Sequence, residues 1–210
     1  MTQLIFCLLP NRQRSTYVRL LQKLKETVLQ ITGAPLQPQV IQTDFEVAVM
    51  RDVEEELPGT DIRGCFFHYT QAVWKKVQHL EMVNQYRDNP DIHDHVRRAA
   101  ALPLLPVNMV QQSWLDAMED APDTPQITSF KDYMVNTWVD DYAMFRAGIW
   151  NHHTNFGPRN NNHLEGWYAY LNKTVQRAHP NIYCLVRVLQ KLEKQKGTRL
   201  PTISMVHYYC

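Results

Sequence analysis

The four cysteines, Cys7, Cys65, Cys184 and Cys210, stand far apart and form no CxxC pair. That spacing argues against a disulfide framework and fits a reducing, intracellular setting. Neither sign of charge is in excess: 22 Lys and Arg meet 21 Asp and Glu, for a net charge of +1. A domain built on phosphate neutralisation is usually more basic, so no global footprint announces nucleic acid. No apolar run approaches the ~18 residues that a membrane-crossing helix needs. The run Leu4–Leu9 has no basic residue before it and is too short for a signal peptide. Internal repeats and low-complexity blocks are missing too. What is left is a chain of 210 residues, 44% of them hydrophobic, which suits one domain, or one domain with an insertion, around a sizeable core.

The organising stretch is Val40–Val77, which reads as strand, helix, strand, helix. Val40–Thr43 is a short run with apolar and β-branched residues, and it delivers Asp44 at its carboxyl end. Phe45, Val49, Val53 and Leu57 follow four apart, as on a helix face. Pro58-Gly59 breaks that helix. Ile62–Phe67 is the second strand expected, ending around Cys65 and His68, with a helix from Thr70 presenting Val73, Trp74, Val77 and Leu80. Ligands in open α/β sheets collect beyond the carboxyl ends of strands, so Asp44 and the Cys65/His68 pair are expected at one rim.

Upstream, Leu4–Leu9 reads as an internal strand. Ser15 is the expected N-cap of a long helix whose apolar residues run Tyr17, Leu20, Leu21, Leu24, Val28 and Ile31, with Gly33 as its stop. Downstream of Tyr86 the strand signal disappears. Helical pieces such as Val107–Met118 and an aromatic helix over Phe130–Phe145 fill the interval, followed by a polar Asn/His loop over Asn151–Asn162. A stripe of Leu164, Trp167, Tyr168, Leu171 and Val175 and a last helix from Ile182 to about Lys194 close the chain, ahead of a partly extended tail.

Three features could carry chemistry. Asp44 at a strand end and Glu165 on a late helix are the carboxylate pair that a two-metal phosphoryl-transfer site would use, because Mg²⁺ and Mn²⁺ take oxygen ligands. Among 21 acidic residues any chosen pair is more often plain surface. Cys65-x-x-His68 has the spacing of half a zinc site, with His152 and His153 as completers; a buried cysteine beside a hydrogen-bonded histidine is the commoner meaning of that spacing. The Asn/His loop serves either as a turn-rich connector or as a substrate-contacting rim.

The blocks LLPNRQRSTYVRLLQKLKE, TDFEVAV, GCFFHYTQAVWKKV, WN and NNNHLEGWYAYLN followed by HPN, in that order, resemble the transposase domain of Mutator-like elements (the MULE family). The resemblance runs over roughly residues 4 to 195. It implies an α/β ribonuclease-H-like fold, with a partial core over residues 1–85, an all-helical insertion over 86–150 before the last acidic residue, C-terminal helices completing the core over 151–196, and a tail over 197–210. It also implies DNA transposition by a DDE site binding two divalent metals, Mg²⁺ or Mn²⁺. Asp44 then matches the second acidic residue and Glu165 the third. Cys65 and His68 match the CxxH motif, with zinc as a further cofactor to test. Gln71 matches the glutamine of the same block, and Asn161 and Asn162 belong to the asparagine-rich block at the site rim. DNA at transposon ends is the implied partner and the nucleus the implied location.

The match also departs from the pattern. The first catalytic aspartate of such a domain precedes the equivalent of Leu4–Leu9, and Met1–Leu4 holds no acidic residue. The expectation is an amino-terminally truncated transposase domain that lacks its first strands and is inactive alone, or else a domesticated, non-catalytic DNA- or protein-interaction module. An uncovered apolar edge at Leu4–Leu9 would favour self-association.

Overall fold

The computed structural model describes residues 7, 9–11, 13–155, 171, 173–175 and 181–195. It is a helix-rich α/β structure whose contacts divide it into two compact units: residues 1–38, 51–58 and 161–210 in one, and residues 39–50 and 59–160 in the other. Most of the expected strand Leu4–Leu9, the stripe from Leu164 to Tyr168 and the tail from Gly197 lie outside the described residues.

In the first unit, α1 (Arg14–Thr32) buries Tyr17 and Leu21. It starts one residue ahead of the expected cap: Ser15 lies inside the helix, and Gln13, extended at the N-cap, offers no side-chain bond. Asn11 acts in its place, its Oδ1 accepting from Gln13 N–H at 3.0 Å and from the Thr16 hydroxyl at 2.7 Å. The stop at Gly33 is as expected, with φ of 70° and its N–H donated to Leu29 O. Residues 51–56 of α2 (Val47–Glu56) lay an acidic face along α1. Arg14 reaches buried Asp52 at 3.0 Å as well as Glu55, and Lys25 reaches Glu56 at 3.1 Å. Leu171, Val175 and two residues of α9 (Ile182–Gln195), Leu185 and Leu189, are buried in the same unit.

The second unit starts from β1 (Val40–Thr43), which pairs in parallel with β2 (Asp61–Gly64) in a register running from Val40↔Asp61 to Thr43↔Gly64. β2 is shorter than the expected Ile62–Phe67. Phe66 and Phe67 belong to α3 (Phe66–His79), which begins four residues before Thr70, with Cys65 as its N-cap residue. From there the chain is helical: α4 (Val83–Asp88), α5 (Pro90–Ala101), a 3-10 turn at Leu102–Leu104, α6 (Val107–Glu119) and α7 (Pro125–Met134). The expected aromatic helix over Phe130–Phe145 is three things. α7 ends at Met134, a π-helical turn covers Val135–Val139, and a loop carries the chain to Phe145 ahead of α8 (Ala147–Trp150). Among the described residues no helix is long and apolar enough to cross a membrane.

The core of this unit is aromatic. Trp114, Trp138, Trp150, Tyr69 and Phe130 are buried essentially completely. The Tyr69 ring stacks on Trp150 at 5.2 Å and meets Trp138 edge-on at 4.8 Å, while Trp150 Nε1 donates to the carbonyls of Trp138 and Phe145. Tyr69 and Trp150 bury large apolar area while their polar atoms still find partners, which fixes their orientation.

Candidate functional site

The parallel register sets the rim. Thr43 and Gly64 end the two strands side by side, and Cys65 N–H donates to Thr43 O at 2.9 Å. Asp44 and Cys65 therefore leave the sheet next to each other, and their side chains then part ways. Asp44 is exposed, its Oδ1 accepting a long 3.4 Å bond from the Thr43 hydroxyl. Cys65 is 1% exposed. His68 lies in the first turn of α3, half-buried, its ring edge-on to Phe67 at 5.6 Å. Gln71 follows on the same helix, also half-buried. Trp74, half-buried, packs edge-on against Tyr86 at 5.1 Å.

Two contacts hold this rim, and pattern reading had assigned neither. The Phe45 ring occupies the place where Gly64 has no side chain: a Cβ there would meet Phe45 Cε1 and Cζ at 2.3 Å. From that position Phe45 reaches Trp138 at 4.8 Å and Phe145 at 5.1 Å, edge-on to both. On the other side His152, 1% exposed, bonds the Gly64 carbonyl through Nε2 at 2.9 Å. A carbonyl only accepts, so the proton sits on Nε2, and Nδ1 is left to accept from the Asn155 amide at 3.2 Å.

The segment that carries His152 is itself tied down. His152 N–H donates to Pro103 O at 2.7 Å, the Asn151 amide donates to Leu105 O at 2.8 Å, and His153 Nδ1 lies 3.0 Å from Leu104 O. His152, named from sequence as a possible zinc completer, thus has both ring nitrogens engaged, one with the Gly64 carbonyl and one with the Asn155 side-chain amide, and His153 is an exposed side chain. The signal that could have found the rim contacts was faint: a glycine at the end of a strand, and a tryptophan before the asparagine–histidine run.

Elsewhere in the unit, Tyr69 donates its hydroxyl to Ala99 O at 2.8 Å, and burial pushes its pKa well above the usual range. His95, tilted against Trp114 with ring centroids 5.0 Å apart, is 2% exposed with Nδ1 at 2.9 Å from Ala117 O. Burial lowers its pKa to about 4, and Lys131 and Arg98 push the same way.

Glu165, Asn161 and Asn162 lie outside the described residues. Among the described residues no three His, Cys, Asp or Glu side chains gather in a metal-holding group. What the described rim offers a hard cation is the exposed Asp44 carboxylate, an oxygen donor of the kind Mg²⁺ and Mn²⁺ take.

Comparison with protein families finds the MULE transposase domain over residues 1–72, roughly a third of the chain. The match includes Asp44, Cys65, His68 and Gln71 and ends before Asn161, Asn162 and Glu165. Neither the comparison with curated proteins nor that with solved structures gives a match.

Proposed function

We propose that this chain, whose residues 1–72 match the MULE transposase domain, acts on DNA as part of a transposase, through a DDE-type site on a ribonuclease-H-like core. The observation that carries the reading is the exposed carboxylate of Asp44 at the carboxyl end of a parallel strand, inside the matched segment. Parallel strands joined by a helix put their carboxyl ends on one rim, where α/β folds collect ligands.

In this reading Asp44 and Glu165 hold divalent cation, Mg²⁺ or Mn²⁺. When bound, such an ion would neutralise charge on a scissile phosphate and lower the pKa of an attacking water. The chain's own part is positional. Phe45, wedged against Gly64, fixes the backbone that follows Asp44. His152 fixes the end of the neighbouring strand through the Gly64 carbonyl. Gln71, Asn161 and Asn162 are assigned to the DNA-facing rim, and the CxxH pair to structural support of the α3 start, with zinc as a ligand to be tested. These two carboxylates are two of the three that a DDE site uses. Cation and DNA binding are therefore the properties to test first. A nuclear location goes with this reading.

The test is calorimetric titration of Mn²⁺ into the chain and into its Asp44→Ala and Glu165→Ala variants. Binding that is lost in both supports convergence of the two carboxylates on one site. Binding unchanged in both, in variants shown to be folded, overturns it and favours the non-catalytic interaction module.

A further inference from the structure

The loop Asp140–Met144 is fixed at its base and open at its tip. At its two shoulders Trp138 and Phe145 stack with centroids 5.0 Å apart and planes at 26°, both buried, and both rings close on Phe45, the residue after Asp44. Four backbone bonds tie the loop down. Asp140 N–H donates to Val135 O, Ala143 N–H to Asp140 O, Met144 N–H to Asn136 O and Phe145 N–H to Thr137 O, all at 3.0–3.1 Å. The Gln111 amide, from α6, adds bonds to Val139 O and to the Asp141 carboxylate. Asp140 Oδ1 also takes the Tyr142 N–H at 2.8 Å, an Asx turn at the tip. From this braced loop the Tyr142 ring stands 97% exposed.

Two facts select its partner. Three Cα–Cα steps of ~3.8 Å put Tyr142 Cα within about 11 Å of Phe145 Cα, and about 11 Å is the rise of roughly three stacked nucleotides. Phe145 in turn touches Phe45, the neighbour of Asp44. The loop that carries the ring is thus anchored on the residue next to Asp44. Second, its flanks, Asp140 and Asp141, are exposed acids. They repel a phosphate and leave the flat ring face as the usable surface. A protein partner would need a patch of several hundred Å², whereas the tip's apolar surface is Tyr142 and Met144 set among those acids. One base offers one π-face, which a single exposed ring matches.

We infer that Tyr142 is a stacking platform for an unpaired nucleobase of the strand bound at the Asp44 rim. The inference rests on the DNA reading proposed above and adds to it the residue that grips the base.

The experiment titrates the full chain, wild type, Tyr142→Ala and Tyr142→Phe, into a single-stranded oligonucleotide carrying 2-aminopurine, reading anisotropy and 2-aminopurine quenching, with sedimentation velocity alongside. Tyr142→Ala is expected to weaken binding by on the order of 10- to 100-fold and to abolish quenching. Tyr142→Phe keeps both, because stacking needs the ring and not the hydroxyl. A side chain this exposed can be removed without loss of fold. Unchanged affinity and quenching in Tyr142→Ala overturns the stacking role while DNA binding stands. No binding by wild type overturns both the stacking role and the DNA reading. Loss of self-association in Tyr142→Ala, with DNA binding intact, overturns the nucleobase in favour of a second copy of the chain.

Discussion

Gly64 is the residue whose replacement the rim tolerates least. A methyl group there would sit 2.3 Å from the Phe45 ring, and that ring is held by Trp138 and Phe145 and cannot swing aside freely. Gly64→Ala should cost about 1–3 kcal/mol, the usual range for overpacking a tight core. Urea denaturation checks it, and pairing the change with Phe45→Leu should return part of the loss, since the two residues share one space. His152→Phe keeps the volume but leaves the Gly64 carbonyl without its donor. A loss of about 1–3 kcal/mol is expected, the cost of an unsatisfied buried acceptor.

His95 gives the pH dependence. Its folded-state pKa, lowered to about 4 from the usual 6.5, means that the unfolded chain binds the proton more readily between those values. Stability is therefore complete above about pH 6.5 and falls as the solution is acidified toward pH 4, by at most about 3 kcal/mol. A urea midpoint measured against pH should slope downward over that window in wild type and run flatter in His95→Phe. An equal slope in both would assign the effect to other groups.

At the scale of elements, what the sequence disclosed depended on whether a local rule was enough. β1 was legible to the residue, because three of the four residues of Val40–Thr43 are β-branched and an aspartate follows. The stop of α1 at Gly33 and the start of α6 at Val107 were legible for the same local reasons. The start of α3 was not. Phe66 and Phe67 continue an apolar run that a strand could use equally well, and the choice of helix is made by tertiary contacts: Phe66 meets His152 edge-on and Tyr69 packs into the aromatic core. The π turn after α7 was invisible too, because helical periodicity continues through Val135–Val139 while the hydrogen bonding changes. In the candidate site, Asp44 and Cys65 were placed on one rim correctly from strand order, whereas His152 was weighed as a metal ligand and is seen holding a carbonyl. A histidine's partner is 88 residues away in sequence here, and no spacing rule reaches that far. Element caps offer a plainer test. Asn89 accepts from the backbone N–H of Asp91 and Ile92 ahead of Pro90, so Asn89→Ala should lower stability by about 1 kcal/mol, read as a shift in urea midpoint at unchanged m-value.

At the scale of the whole chain, the family match ends at residue 72 while the contacts that brace the rim come from residues 138–155. The matched segment supplies the carboxylate and the unmatched one supplies its support. Asp44→Ala should therefore reduce Mn²⁺ binding without moving the urea midpoint by more than about 0.5 kcal/mol, as expected for an exposed side chain outside the core. His152→Phe should move the midpoint first. Opposite results in the two variants would mean that the division of labour runs the other way.

The hydrogen bond between His152 and Gly64 also has a history within each molecule's life. It closes a loop of 88 residues, and the aromatic seat of Phe45 waits on residues 138 and 145. A ribosome reaches those residues several seconds after it has made β1 and β2, at about 5–20 residues per second. During that interval Phe45 has no ring to lie between, and the strand pair stands with its rim unbraced. Early products of translation are thus the ones that need shelter, and a nascent chain released before residue 152 should be taken by chaperones or proteases far more readily than one released after residue 155.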